Sequence, residues 1–200
     1  MTSNARVPQA EITGIFGMVA KRFSKKKLGH VPRSLGVMWH NQAVMKTFFG
    51  FFGKAEKWDA CDRQLKSFAQ MATVAQVGCS FCLDYGYFQA HNERLDMEKA
   101  REVPRWRDSA VFTPLERDVL EYAEAMTQTP PTVTDELSAR LLGQLGPSAL
   151  VELTAYIAAA NLTSRANVAL GITSEGFAES CGLPPLRTGS AVGAGVASPA

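Results

Sequence analysis

No stretch of this 200-residue chain reaches 18 consecutive apolar residues, so a membrane-crossing helix is not expected. Cysteine is scarce. Four irregularly spaced residues do not make a disulfide scaffold, and a C-x-x-C pair among them reads as redox or metal-binding chemistry in a reducing compartment. Net charge is also low. The 21 Lys and Arg against 19 Asp and Glu leave +2, which gives no general argument for nucleic acid as a partner. The first ten residues are polar, and basic residues follow the first apolar cluster instead of preceding it. A secretory leader is therefore not expected, and the expected location is cytoplasmic. A composition of 46% hydrophobic and 20% charged residues suits one domain with a core that needs no staples.

What the chain does contain is helical periodicity almost throughout. Ile12, Ile15, Phe16, Val19 and Phe23 recur at helical spacing. The accompanying Lys21, Arg22, Lys25, Lys26 and Lys27 complement a helix C-terminus, with an anionic membrane surface or acidic partner as the alternative. A second helix is expected over 32–52, carrying Leu35, Met38, Trp39, Val44, Met45, Phe48, Phe49 and Phe52 on its apolar face. The cluster Phe48, Phe49, Phe51 and Phe52 reads as core or subunit interface. Asp62 suits the cap of a helix that leads to Gly78, and another helix is expected over 79–92. Leu95 and Met97 open a short segment that ends before Pro104. Thr113-Pro114-Leu115-Glu116 combines a cap, a first-turn proline and a glutamate three residues on, all helix-start signals. Thr134 opens a helix that stops near Gly146-Pro147, and Ser148 opens a long one that stops at Gly171. Residues 188–200 are small and uncharged and read as a disordered tail, leaving 1–187 as a single all-helical domain. Segments 65–86 and 150–171 align without gaps, setting Ser67 opposite Glu152, Cys79 opposite Ser164 and Cys82 opposite Asn167; two similar helical halves would produce this echo, as would chance.

Cys79-Ser80-Phe81-Cys82 directly follows Gly78 at a helix start. Thiols three residues apart share a helix face and can form and break a disulfide within one turn. Unpaired first-turn amides and the positive end of the helix dipole favour a thiolate there. One thiol can then attack an oxidant while the other resolves the sulfenic acid. Two other readings stand beside this one: a zinc site completed from Cys61, Cys181, His30, His40 or His91, and a buried structural pair. His91 lies nine residues past Cys82, on the opposite helix face. His40, between Trp39 and Asn41, would have to approach from another helix. Asp84 points away from the pair, as a capping or ion-pairing residue.

The run Leu65-Lys66-Ser67-Phe68-Ala69-Gln70-Met71-Ala72, then Val77-Gly78-Cys79-Ser80-Phe81-Cys82-Leu83-Asp84-Tyr85-Gly86, resembles the carboxymuconolactone decarboxylase family, which includes the alkyl hydroperoxidase D-like proteins. Phe112-Thr113-Pro114-Leu115-Glu116-Arg117 and the stretch from Val151 through Asn161 and Arg165 to Gly171 also look like the family. The resemblance implies an all-α helical bundle of the alkyl hydroperoxidase D-like type, with about seven to nine helices, assembled as a homo-oligomer with the pair facing a pocket near subunit contacts. In the hydroperoxidase members the second cysteine attacks and the first resolves, which makes Cys82 the expected peroxidatic residue and Cys79 the resolving one. It further implies a small hydroperoxide substrate, no bound cofactor or metal, and an external dithiol or thiol reductant protein as partner.

The family's proton relay is not matched. Ser67 stands where a glutamate precedes the first cysteine by twelve residues, Gly86 where a histidine follows the second by four, and Phe81 where another histidine can precede the second. Glu152 and His40 are the candidate substitutes, with a core ion pair to Arg165 as the alternative role for Glu152. Members that act on the lactone lack this redox pair, so decarboxylation is not expected. The expected function is hydroperoxide reduction through a Cys79/Cys82 dithiol–disulfide cycle. The alternatives are a redox-sensing or ligand-binding protein without efficient turnover, and a cofactor-free lyase that uses the same pocket.

Overall fold

Nine α-helices form among residues 5–186, the part of the chain that the computed structural model describes. They are α1 (Gly14–Leu28), α2 (Arg33–Met38), α3 (Gln42–Ala55), α4 (Arg63–Val77), α5 (Ser80–Asn92), α6 (Met97–Glu102), α7 (Pro114–Thr127), α8 (Asp135–Leu170) and α9 (Phe177–Ser180), with a 3-10 turn (Val103–Asp108) between α6 and α7. No strand forms among the described residues. The architecture is the all-α bundle expected for an alkyl hydroperoxidase D-like chain. The tail expected at 188–200 lies outside the described residues.

Local chemistry sets the helix ends. The side chains of Asp62, Asp96 and Thr134 each accept an amide of the following first turn, and Thr113 and Glu116 form a reciprocal capping box at α7. Two expectations need correction, and a third, the break at Gly146, holds. The helix over 32–52 is two helices, because the Asn41 side chain accepts the Val44 amide at 3.1 Å and starts α3 afresh. The stop expected near Gly146-Pro147 is present: Gly146 leaves helical geometry at φ 77°, which glycine readily takes, so α8 is two helical stretches meeting at that kink. The short α9 was not foreseen; the burial of Phe177 anchors it.

α4 lies at the centre, packed by α5, α7 and α8. Its Leu65, Phe68, Ala69, Met71 and Ala72 bury against Tyr87 and Ala90 of α5, Val119, Leu120 and Ala123 of α7, and Leu153 and Ile157 of α8. Each large side chain removed from water stabilises the bundle by about 1.5–3 kcal/mol.

A separate cluster of Leu35, Trp39 and Met45 holds the first three helices together. α1 meets this cluster by an unusual face. It buries Gly17 and Ser24 and leaves Ile15, Met18, Val19 and Phe23 from 60% to 79% exposed. A side chain at Gly17 would meet Trp39 Cζ2 at 3.2 Å, so α1 approaches by its small-residue face and turns its apolar stripe outward. Phe49 and Phe51 of α3 are exposed as well, so the aromatic cluster is not core. No helix among the described residues is long and apolar enough to cross a membrane.

Candidate active site

α4 ends where Gly78 enters the left-handed region at φ 77°, and the Cys79 amide donates back to the Val74 carbonyl at 3.0 Å. The chain therefore reverses within two residues, and α5 folds back onto α4. Cys79 occupies the N-cap of α5, where its Sγ accepts the Cys82 amide at 3.3 Å, a place usually held by a hydroxyl or carboxylate. The two cysteines are joined as a disulfide with Cα atoms 5.3 Å apart. Both sulfurs sit in the first turn, as the spacing required.

Exposure separates them. Cys79 is 1% exposed and Cys82 is 8% exposed, so Cys82 is the sulfur closer to solvent. The niche around the pair is apolar: Val74, Phe81, Leu83 and Ala160. Asn167 of α8 donates its Nδ2 hydrogen to Cys82 Sγ at 3.3 Å. Each sulfur thus has its own donor, a helix amide on Cys79 and a side-chain amide on Cys82.

The outer side of α5 is strapped by the segment after α8. Asp84 accepts from the Ser174 hydroxyl at 2.7 Å, the Phe177 amide at 3.0 Å and the Ala178 amide at 2.9 Å, which caps α9. The Ser174 amide donates to Ser80 Oγ at 3.1 Å. Phe177 is fully buried and packs on Phe81, Tyr85 and Phe88 with ring centres 5.7, 5.9 and 6.0 Å away. Asp84 thereby serves as the capping residue its position suggested.

The structure does not bring the two candidate relay residues to the pair. His40 is exposed, and its Nε2 bonds the Pro8 carbonyl at 2.8 Å. Glu152 pairs with Lys66 at 2.5 Å, with both side chains buried, and accepts the Ala60 amide at 2.8 Å. Lys66 also donates to the Trp58 carbonyl. The pairing with Arg165 does not form: Arg165 lies about 20 Å further along α8 by helical rise, and donates instead to the Thr127 carbonyl at 2.8 Å. Burial works to raise the Glu152 carboxyl, but the Lys66 ammonium and the Ala60 and Cys61 amides outweigh it and hold the group below its ordinary value. At the positions of the family relay, Gly86 is buried with Met71 Cγ 3.2 Å from where a side chain would begin, and Ser67 faces a cleft.

That cleft, about 270 Å³, opens between α4, α5 and α8 and the ends of α1 and α3, and its lining includes Ser67, Gln70, Gln89, Tyr156, Lys27 and Glu56 beside Lys66. Gln70 and Tyr156 lie four residues before Val74 and Ala160, so the cleft is one helical turn from the cysteine niche on both α4 and α8. Burial, reinforced by Glu93 and Glu56, pushes the Tyr156 phenol up to about 12. Cys61 is buried and its thiol is pushed up to about 11, mainly by burial against the opposing pull of Lys66. Cys181 is exposed. Among the described residues no group of three or more Cys, His, Asp or Glu side chains stands together as a metal site would require. Asn167 was missed as a site residue. The signal was the internal echo, which set it opposite Cys82. The echo is no structural repeat, however, because α4 breaks at Gly78 whereas the counterpart Thr163 lies inside α8.

Comparison with known proteins agrees with this fold. A family model described as the carboxymuconolactone decarboxylase family matches residues 42–125, which include the pair. The uncharacterized protein YnjA of Escherichia coli (strain K12) is 40% identical over 118 residues, 58% of this chain; the match spans only 63% of that relative's length. Among solved structures, a cysteine-to-alanine variant of the debrominase Bmp8 in complex with 2,3,4-tribromopyrrole superposes with a TM-score of 0.76 at 20% identity, covering 88% of this chain and 95% of the other. The alkylhydroperoxidase AhpD core of a peroxidase-related protein from Ralstonia eutropha JMP134 superposes with a TM-score of 0.73 at 17% identity, covering 86% and 94%. At these identities the superpositions establish the fold.

Proposed function

We propose that this protein is a thiol-dependent oxidoreductase that reduces hydroperoxides through Cys79 and Cys82, a reading supported by the match of residues 42–125 to the carboxymuconolactone decarboxylase family model. The observation that carries the proposal is the pair itself: two cysteines within disulfide reach at a helix N-terminus, with the second more open to solvent than the first. In the cycle, the Cys82 thiolate attacks the terminal oxygen of ROOH. A sulfur–oxygen bond forms, the oxygen–oxygen bond breaks, and the departing alkoxide takes a proton from water. The Cys79 thiol then attacks the Cys82 sulfenic acid, forming the disulfide and releasing water. The sum is ROOH plus two thiols giving ROH, water and one disulfide. An external dithiol returns the pair to the reduced state, and no bound cofactor takes part.

The test is consumption of cumene hydroperoxide by the reduced protein with an excess of dithiol. Sustained turnover that Cys82→Ser abolishes supports the reading. Equal slow rates in both proteins refute it. Oxidation of one equivalent without cycling would leave a redox sensor, the reading favoured by the unmatched relay at Ser67, Phe81 and Gly86.

A second reading draws on the stacked rings of Phe81 and Tyr85 on the cysteine helix, with Phe177 edge-on to both, and on the similarity in fold to a debrominase. The same dithiol could deliver its two electrons to a halogenated planar ring, replacing carbon–bromine by carbon–hydrogen and releasing bromide as the disulfide forms. Bromide release from 2,3,4-tribromopyrrole, measured in parallel with peroxide loss, separates the two substrates.

A further inference from the structure

We infer that Asn167 is the activating residue of this centre: its side-chain amide holds Cys82 as a thiolate, and the cycle runs without a protein proton relay. The inference rests on the reading of Cys82 as the attacking sulfur. Three observations lead to it. The walls formed by Val74, Phe81, Leu83 and Ala160 are apolar, and burial in such surroundings disfavours a charged sulfur. The helix-end amide that would ordinarily offset this, that of Cys82, donates to Cys79 Sγ and not to Cys82 Sγ. The donor on Cys82 Sγ is the Asn167 amide at 3.3 Å. A hydrogen bond to an ionised acceptor is roughly twice as strong as one to a neutral group, so this contact selects the thiolate over the thiol. Because Asn167 touches the reacting atom, it counts as catalytic and not merely as support.

The titratable and charged groups on the surrounding elements have partners of their own: Arg6 donates to the Val168 and Ala169 carbonyls, and the Tyr85 hydroxyl accepts from Gln89. On α5, Asp84 is turned to the amides of Phe177 and Ala178. On α8, Arg165 donates to the Thr127 carbonyl and Glu152 is paired with Lys66 of α4. In the segment after α8, Glu175 accepts the amides of Arg33 and Ser34 and lies 3.3 Å from His30 Nε2. An amide neither gains nor loses a proton near neutrality. It can stabilise the thiolate but cannot protonate the leaving alkoxide, and water supplies that proton.

The experiment is peptide-resolved iodoacetamide labelling of Cys82 across pH in the Cys79→Ser protein, with and without Asn167→Asp or Asn167→Leu. Asn167→Asp keeps the side-chain shape and removes the donor, whereas Asn167→Leu removes the donor without adding charge. Thermal unfolding reports that each variant is folded. The expected result is a labelling profile displaced to higher pH in either variant, with the rate at pH 6 reduced about tenfold, the factor near the low end for a hydrogen bond to a charged group. A profile that stays in place in a folded variant overturns the inference. The readout uses no peroxide. A displaced profile in a protein that consumes no peroxide would refute the proposed function and leave the activation of Cys82 standing.

Discussion

At the scale of single residues, the four cysteines fall into different environments and should behave accordingly. Cys181 is exposed, whereas Cys61 is buried with its thiol pushed up to about 11, so it stays protonated at neutral pH. Thiol titration of the oxidised native protein with a chromogenic disulfide should show one rapid thiol from Cys181, with Cys61 appearing only on unfolding. Peroxide reduction should rise with pH along a single limb and then level off, because the thiolate is the one essential titration in a cycle without a relay. A bell-shaped profile would reveal a protein acid. Glu152 belongs to stability. Glu152→Gln strands the buried Lys66 ammonium and should cost about 3–5 kcal/mol in urea unfolding while leaving Cys82 labelling in place. At this scale the pair was legible, because a C-x-x-C after glycine announces itself locally. The Asn167 contact was not, because its partner stands 85 residues away and only packing joins them.

At the scale of elements, hydrogen bonds at helix ends decide both boundaries and acid sensitivity. Glu116 is pushed up by burial, but its bonds to Lys99 and Thr113 win and hold it low, as the Lys66 bond holds Glu152 low. A carboxyl with a depressed folded value contributes stability that is fully present above the unfolded value, about pH 4.3, and is lost as pH falls through the folded value. Urea midpoints measured from pH 6 down to pH 3 should therefore be flat at first and then decline below about pH 4. Removing the α7 cap with Thr113→Ala should cost about 1 kcal/mol in the same assay. Asp84→Ala should speed hydrogen exchange at the Phe177 and Ala178 amides, which lose their acceptor. The capping box, the Asp62 cap and the glycine stops were readable because each is written within four residues. The split at Asn41 was not, because the periodicity on either side runs in phase and one side chain makes the break. α9 was not readable either, because four residues carry no period and Phe177 is held by rings from α5.

At the scale of the whole molecule, the all-α bundle could be read from periodicity and family resemblance together, but the direction in which α1 faces could not. Its stripe of Ile15, Val19 and Phe23 predicts burial, yet Gly17 and Ser24 take the inner face because Trp39 needs the close approach that glycine allows. An outward apolar stripe on this scale calls for a cover, and we propose a second copy of the chain, in keeping with the homo-oligomer expected from the resemblance. Light scattering after size-exclusion chromatography should then show an assembly that Val19→Glu or Phe23→Glu shifts toward the monomer with the melting temperature of the subunit little changed; a monomeric wild type would refute this. The central claim is narrower, that Cys82 attacks and Cys79 resolves. Its most direct measurement is dimedone trapping followed by peptide mass spectrometry, after one equivalent of cumene hydroperoxide is added to the reduced Cys79→Ser and Cys82→Ser proteins. The expected result is a dimedone adduct on Cys82 in Cys79→Ser and none on Cys79 in Cys82→Ser. An adduct on Cys79 alone, or on neither cysteine, would contradict it.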